Sequence, residues 1–539
     1  MGSKALARFV SLSGRPAASW LALIAAIFMT SLQGSASAEK TAPKASCSKV
    51  DPYIRAAQEA LAKQEPAAAL EPLKRAIQID SKCAEAYILL GLTEFQRGET
   101  GNSIPHYQRA LELQPSSYPA HYNLALAYLR EHNFQDARSH LEKAVGLDAR
   151  QADAQYDLGM VLLELREPSQ ALTHLRRARA LKPKPDVAFN IVRAALESNQ
   201  IPQARSEAET SAKSLGSDVQ WTAAIGQLFL KNAQPKDAAI YLERAYRISP
   251  ENEDIRRQLA AAYLESGQAQ EVLSAIREPK TSADYYLRGS AYYLLHQFQA
   301  ADRDSEQALA LAPENPQILV LRTRLLQRAG QQNAALELAN KATTLSPNWD
   351  EPHYLAGVSY YFIRHYEEAA QSLARARELN PNSSRAFFLE AIALANRGKT
   401  AEAEQCLRRA IALQPGNARF YCHLGILLTR GNRYPEAKAS LRKAIQLKPE
   451  YALSHYELGK LLVYSNQLQE AAQELDQAVT RDPALSAAYY QLGRVYARLG
   501  ETEKSARAIV EFQRRYKQEA NASQDTDQEV DEDTRQEIQ

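Results

Sequence analysis

The chain has 539 residues, 45% of them hydrophobic and 24% charged, which marks a folded chain rather than a disordered one. Ala, Leu, Gln, Glu and Arg dominate and glycine is sparse, a mix that favours helix because Ala and unbranched side chains lose little entropy there. The formal charge of +2 gives no bulk electrostatic case for nucleic acid or an anionic membrane as partner.

The first predicted element is a processing signal. Lys4, Arg8 and Arg15 make a positive start, Ala17 to Met29 runs apolar with only Ser19 interrupting, and Ala36-Ser37-Ala38 has the small-x-small form of a cleavage site. This is the pattern of a secretory signal over residues 1–38, cut after Ala38. The alternative is an uncleaved anchor, but the apolar run falls short of the ~20 residues a spanning helix needs. No Cys follows the small residues, which argues against a lipoprotein. The expected mature protein is periplasmic or secreted, with no stable membrane span. Residues 39–49 read as a linker.

From Val50 onward the chain repeats. Units begin at Val50, Ala84, Tyr118, Ala152, Pro185, Val219, Glu253, Ser282, Pro316, Asp350, Ser384, Ala418, Ala452 and Ser486. The step is 34 residues except for 33 from Ala152 to Pro185 and 29 from Glu253 to Ser282. Four columns fix the register. The eighth position is mostly small, as in Gly159, Gly357 and Gly425; the twentieth and twenty-seventh are mostly Ala, as in Ala437 and Ala444; the thirty-second is mostly Pro, as in Pro415 and Pro449; the Pro185 unit departs, with Val192 at the eighth position and Ser211 at the twenty-seventh. Small residues let two antiparallel helices approach, Leu424 and Leu428 fill the seam between them, and Pro ends the second helix because it cannot continue the hydrogen-bond ladder. Pro72 and Pro105 lie one turn into second helices, where a mild kink is expected.

This pattern, for example Ala418-Arg-Phe-Tyr-Cys-His-Leu-Gly425 through Ala437, Leu441, Ala444 and Pro449, resembles the tetratricopeptide repeat family. The resemblance implies an all-α, right-handed solenoid of about fourteen helix-turn-helix units whose first helices line a concave groove. The Glu253 unit is cut short, with Pro279 where its last Ala belongs, which reads as a break in superhelical register around Ile276 to Ser282 or, alternatively, as a shortened helix with no hinge. That divides the expected array into residues 50–281 and 282–520, each of seven units, the second closed by a polar capping helix, Ser505 to Gln518. Residues 521–539 follow as an acidic tail expected to be disordered, with Asp531, Glu532 and Asp533.

Four cysteines remain to be placed. Cys47 and Cys83 sit just before successive first helices, which leaves a bridge between them open for an exported protein. Cys406 and Cys422 fall on adjacent helices and are less suited. No Cys-x-x-Cys or His/Cys cluster supports a metal or redox site.

Function is expected in the groove. The resemblance implies that positions two, five, nine, twelve and thirteen face it. The fifth column is aromatic in Tyr122, Tyr156, Phe189, Tyr286, Tyr354, Phe388, Tyr456 and Tyr490, and the twelfth adds Phe95, Tyr293 and Tyr361. Aromatic rings supply contact area at small entropic cost and Tyr adds a hydroxyl. A structural role, packing on the next unit, is the competing reading of each ring. A clamp for a C-terminal carboxylate, which the family builds on a fifth-position Lys and ninth-position Asn, is not supported. Basic residues also recur before the twenty-seventh Ala, from Arg75 and Arg109 to Arg409 and Lys443, and read as a solvated face.

There is no phosphate loop, no H-E-x-x-H and no G-x-S-x-G, so no catalytic residue, cofactor or metal is expected. The expectation is an exported, non-enzymatic scaffold holding a protein or peptide partner. The alternative is a polysaccharide-assembly factor whose sugar chain stacks on the same rings.

Overall fold

The computed structural model describes residues 47–523, with side chains to 518. The expected signal segment, most of the expected linker and the tail beyond Ser523 lie outside the described residues. Among the described residues are 28 helices and no strand. Helices begin at the expected unit starts from Ala84 to Ser486, and the first begins at Asp51, one residue past Val50. Helix Pro66–Ile79 is continuous through Pro72 and helix Thr100–Leu113 through Pro105. The last helix, Thr502–Ser523, runs three residues into the stretch expected as tail.

Each unit is a hairpin, and where position eight is glycine the two helices approach closely there. A Cβ added to Gly357 would lie 2.5 Å from the Leu373 side chain, and one added to Gly425 would lie 2.5 Å from Leu441. Leu373 and Leu441 are themselves fully buried. The missing side chain on one helix is therefore the socket for the leucine on the other, which is how interiors reach close packing.

The turn between the two helices is also fixed. The fifteenth residue of every unit has a positive φ, yet only Gly98, Gly267, Gly330, Gly398 and Gly500 are glycines there. The other turns force Gln64, Arg166, Ala233, Arg364 and their equivalents into the left-handed region. Two backbone bonds hold it: in the first unit, Gln64 N–H donates to Leu61 O at 3.0 Å and Glu65 N–H donates to Ala60 O at 2.9 Å. This is the Schellman geometry that satisfies carbonyls left over at a helix end. Hydroxyl, amide and carboxylate caps start several first helices, among them Ser117, Asp218, Asn252, Asn315, Ser383 and Asn417.

The chain divides into two compact units, one ending at Ser266 and the other starting at Gly267. The division falls between the helices of the shortened repeat, whose second helix is only Ala269–Ala275. Six residues then lead to helix Ser282–Leu294, which Thr281 and Asp284 start with a reciprocal capping box. Within each compact unit, hairpins stack in chain order. First helices of consecutive repeats also touch, for every consecutive pair in the second compact unit, while second helices show no comparable contact. First helices thus form the inner side of each stack.

A disulfide joins Cys47 and Cys83, with Cα atoms 5.4 Å apart, within the range a bridge requires. It ties the segment ahead of the first helix to the N-cap of helix Ala84–Gln96. Cys406 and Cys422 are buried free thiols.

Candidate functional site

The candidate site is the inner face of the first helices, where the aromatic column lies. The structure separates its members by burial. Tyr122, Tyr354 and Phe388 are buried; Tyr156, Phe189, Tyr286 and Tyr456 are half-buried; Tyr490 is 41% exposed.

What the rings touch explains the difference. The Tyr122 hydroxyl donates to Asp157 Oδ2 at 2.7 Å, and Asn190 Nδ2 donates to the Tyr156 hydroxyl at 3.1 Å. In both pairs a fifth-position Tyr meets the sixth residue of the following repeat. Burial, and then the Asp157 carboxylate, push the Tyr122 phenol well above its ordinary range, so it stays a neutral donor. Phe388 packs against Phe420 at 4.9 Å and His423 at 5.1 Å between ring centroids, again on the following repeat. The column is therefore partly a seam between repeats, and the surface it leaves for a ligand narrows to the half-buried and exposed rings.

Sequence reasoning passed over the cations that flank these rings. Glu351, at position two of its repeat, is buried. Its carboxylate accepts from Arg324 Nη2 at 2.7 Å and from Arg385, which belong to the preceding and following repeats. The Arg385 guanidinium also lies 4.2 Å from the Tyr354 ring centroid. Burial works against the Arg324 charge, but the Glu351 carboxylate more than offsets it and holds the guanidinium above its ordinary range. Farther along, Lys460 Nζ is 4.8 Å from the Tyr456 ring centroid and bonds both Glu457 oxygens, at 2.9 and 3.0 Å. Arg494 lies 5.6 Å from the Tyr490 ring centroid. A basic side chain over an aromatic face is worth about 0.5–1 kcal/mol at exposed sites. The signal that could have found these residues was in the sequence: Arg324, Lys460 and Arg494 share position nine, four residues after position five and so on the same helix face.

The basic column on second helices is solvated, with local partners such as Glu112 for Arg109 and Glu378 for Arg375. Among the described residues, no group of three or more His, Cys, Asp or Glu side chains could hold a metal. None of the described helices is long and apolar enough to cross a membrane. Burial, reinforced by Glu390, pushes the Cys406 thiol up to about 12, which makes it unreactive.

A family model described as Tetratricopeptide repeat matches residues 122–185, 189–253, 354–418, 388–452 and 456–523. A second model of that description matches 229–286, and one described as TPR repeat matches 91–131. No curated protein matches the chain. Among solved structures, the chain is similar to the APC/C hetero-tetramer Cut9-Hcn1, at 15% identity over 83% of this chain and 97% of that one, with a TM-score of 0.42. It is also similar to YrrB, titled a TPR protein with an unusual peptide-binding site, at 23% identity over 34% of this chain and 95% of that one, TM-score 0.31. A third is Naa15/Naa10 bound to HypK-THB, at 14% identity over 86% of this chain and 76% of that one, TM-score 0.37.

Proposed function

The chain belongs to the tetratricopeptide repeat family, and from that premise we propose that it is an exported adaptor holding a protein partner against the inner face of its first helices. Arrays of this family are protein–protein interaction scaffolds, and this chain is one. The observation that carries the finer reading is the contact of first helix with first helix along the stack. It lines up rings such as Tyr286, Tyr456 and Tyr490 on one inner wall while leaving them only partly buried. Amphipathic rings on a rigid wall lose little entropy when a partner covers them.

The Cys47–Cys83 disulfide supports export, because such bonds persist in oxidising compartments and are rare in reducing ones. The signal pattern of residues 1–38 supports the same reading, which puts the adaptor in the periplasm or outside the cell.

The test is capture from cell-envelope extract by the protein with Tyr286, Tyr456 and Tyr490 replaced by Ala, with helicity and unfolding midpoint followed in parallel. The adaptor reading expects the captured protein to be lost while helicity is kept. Undiminished capture by the folded triple variant would refute it.

A further inference from the structure

Charge along the inner wall is not uniform. In the repeats from Val50 to Glu253, positions two and nine hold Asp51, Glu85, Asp153, Asp186 and Asp254, with Arg193 the single base. In the repeats from Ser282 to Ser486, the same positions hold Arg324, Arg385, Arg419, Lys460 and Arg494, with Glu351 the single acid. Position thirteen there adds Arg328, Arg430 and Arg498 and no acid.

The acids of the first group need no special cause. Position two lies in the first turn of its helix, where the positive end of the macrodipole favours a negative side chain. The same field opposes Arg385 and Arg419, each the second residue of its helix. A residue set against its local preference is expected at a functional site.

Internal pairing consumes only part of this charge. Glu351 takes Arg324 and Arg385, and Glu457 takes Lys460. Arg328, Arg430, Arg494 and Arg498 make no ion pair among the described residues; Arg498 donates to the neutral Asn466 Oδ1 at 2.7 Å. The wall of the second compact unit therefore carries an excess of guanidinium groups.

We propose that this wall, from the Pro316 repeat to the Ser486 repeat, binds an acidic segment of a partner protein in extended conformation. The proposal rests on the adaptor reading above and names the chemistry of the partner. Guanidinium groups match carboxylates in geometry as well as charge. The partly open edges of Tyr456 and Tyr490 suit apolar side chains on the same segment. Packed helices are about 8–10 Å apart, and a chain extended as a polyproline II helix rises about 3.1 Å per residue with about three residues per turn. A carboxylate at roughly every third residue would thus stay on one face and meet successive repeats. Ligands that need open ring faces, such as nucleobases or sugars, fit poorly, because Arg385, Lys460 and Arg494 already lie over Tyr354, Tyr456 and Tyr490. The fifth positions here are Val320, Tyr354, Phe388, Cys422, Tyr456 and Tyr490 and include no lysine, so the site is not a clamp for a terminal carboxylate.

The probe is a fluorescein-labelled peptide repeating Glu-Leu-Ser, compared with its Gln-Leu-Ser counterpart by anisotropy on the full processed chain, with heparin as a competing polyanion. The Glu peptide is expected to bind and to weaken as salt rises from about 50 to about 200 mM. Arg419→Glu with Arg494→Glu should weaken it at least roughly tenfold, while Asp153→Asn with Asp186→Asn should leave it unchanged. Arg419→Glu places an acid where the helix dipole favours one, so lost binding with an unchanged unfolding midpoint is not lost folding. Arg494→Glu alone, on an exposed side chain, should give part of the same loss. Equal binding of the Gln peptide, indifference to the charge reversals, or binding of heparin without the Glu peptide would overturn the proposal. If the Tyr286, Tyr456 and Tyr490 variant loses its partner while the Glu peptide never binds, the adaptor reading stands and this one falls. If the peptide binds as expected and that variant still captures its partner, the reverse holds.

Discussion

Replacing Gly357 by Ala puts a methyl group into space already filled. The new Cβ would lie 2.5 Å from Leu373 Cγ, 2.9 Å from its Cδ2 and 3.3 Å from the Ala369 carbonyl oxygen. Leu373 cannot swing away, because it is itself buried between the two helices. Overpacking of this kind costs about 1–3 kcal/mol. The substitution also gains about 1 kcal/mol of helix propensity, so the net loss should be ~0–2 kcal/mol. Gly146 is the control: it also lies in a helix, but nothing stands within 4 Å of an added Cβ, so Ala there should gain roughly 0.5–1 kcal/mol. A repeat array need not unfold as one unit, so a single global midpoint can hide a local defect. Hydrogen exchange reads the defect where it occurs. Gly357→Ala should lower amide protection in helices Asp350–Phe362 and Tyr366–Leu379 first, and in their neighbours less. If protection there is unchanged, or if both variants gain stability alike, position eight is not the packing socket described above.

Other consequences can be checked directly. Ala233 is held in a left-handed turn at φ 53°, so Ala233→Gly should raise the urea midpoint by an amount equal to about 1 kcal/mol; a fall would show that the turn is not strained. Reducing the Cys47–Cys83 bond frees a loop of 36-residue separation. About 3–4 kcal/mol should be lost from the first repeat, seen as faster proteolysis near helix Asp51–Ala62 in reductant and no change elsewhere. Burial, then His121 and Lys143, hold the His140 imidazole down at about 4. As pH falls below 6.5 the unfolded imidazole takes up a proton that the folded one refuses until about pH 4. Stability should therefore drop across that window, and His140→Gln should flatten the slope; an unaltered slope would remove His140 as its cause. Phe388→Ala empties a buried site between two repeats and should cost about 3–5 kcal/mol by denaturant titration, whereas Tyr490→Ala should cost little.

The repeat was legible because several columns constrain the same register. Gly425, Ala437 and Ala444 each mark a helix contact, and together they admit one alignment, which is why the helices start at the expected residues. The turn at position fifteen was not legible. Backbone hydrogen bonds define it, and residues as unlike as Gln64, Ala233 and Arg364 all occupy it. The aromatic column shows the limit of periodicity in another way. A 34-residue step places Tyr122, Phe388 and Tyr490 on the same helix face, but the neighbouring repeat decides how much of each remains open. Asp157 and Phe420 cover the first two, while the Tyr490 ring meets Phe512 of the last helix and stays partly exposed. The cations are divided between position nine (Arg324, Lys460 and Arg494) and position two (Arg385 and Arg419), so neither column alone shows the whole set.

The central claim is that a partner sits on the inner side of the first helices. A photo-crosslinking side chain at Tyr456 or Tyr490 reports on that face, and one at Arg409 or Lys443 reports on exposed positions of second helices. Irradiation in intact cells should give the same discrete adduct from Tyr456 and Tyr490 and none from Arg409 or Lys443. Adducts from Arg409 and Lys443, with none from Tyr456 or Tyr490, would place the partner on the opposite side and contradict the claim.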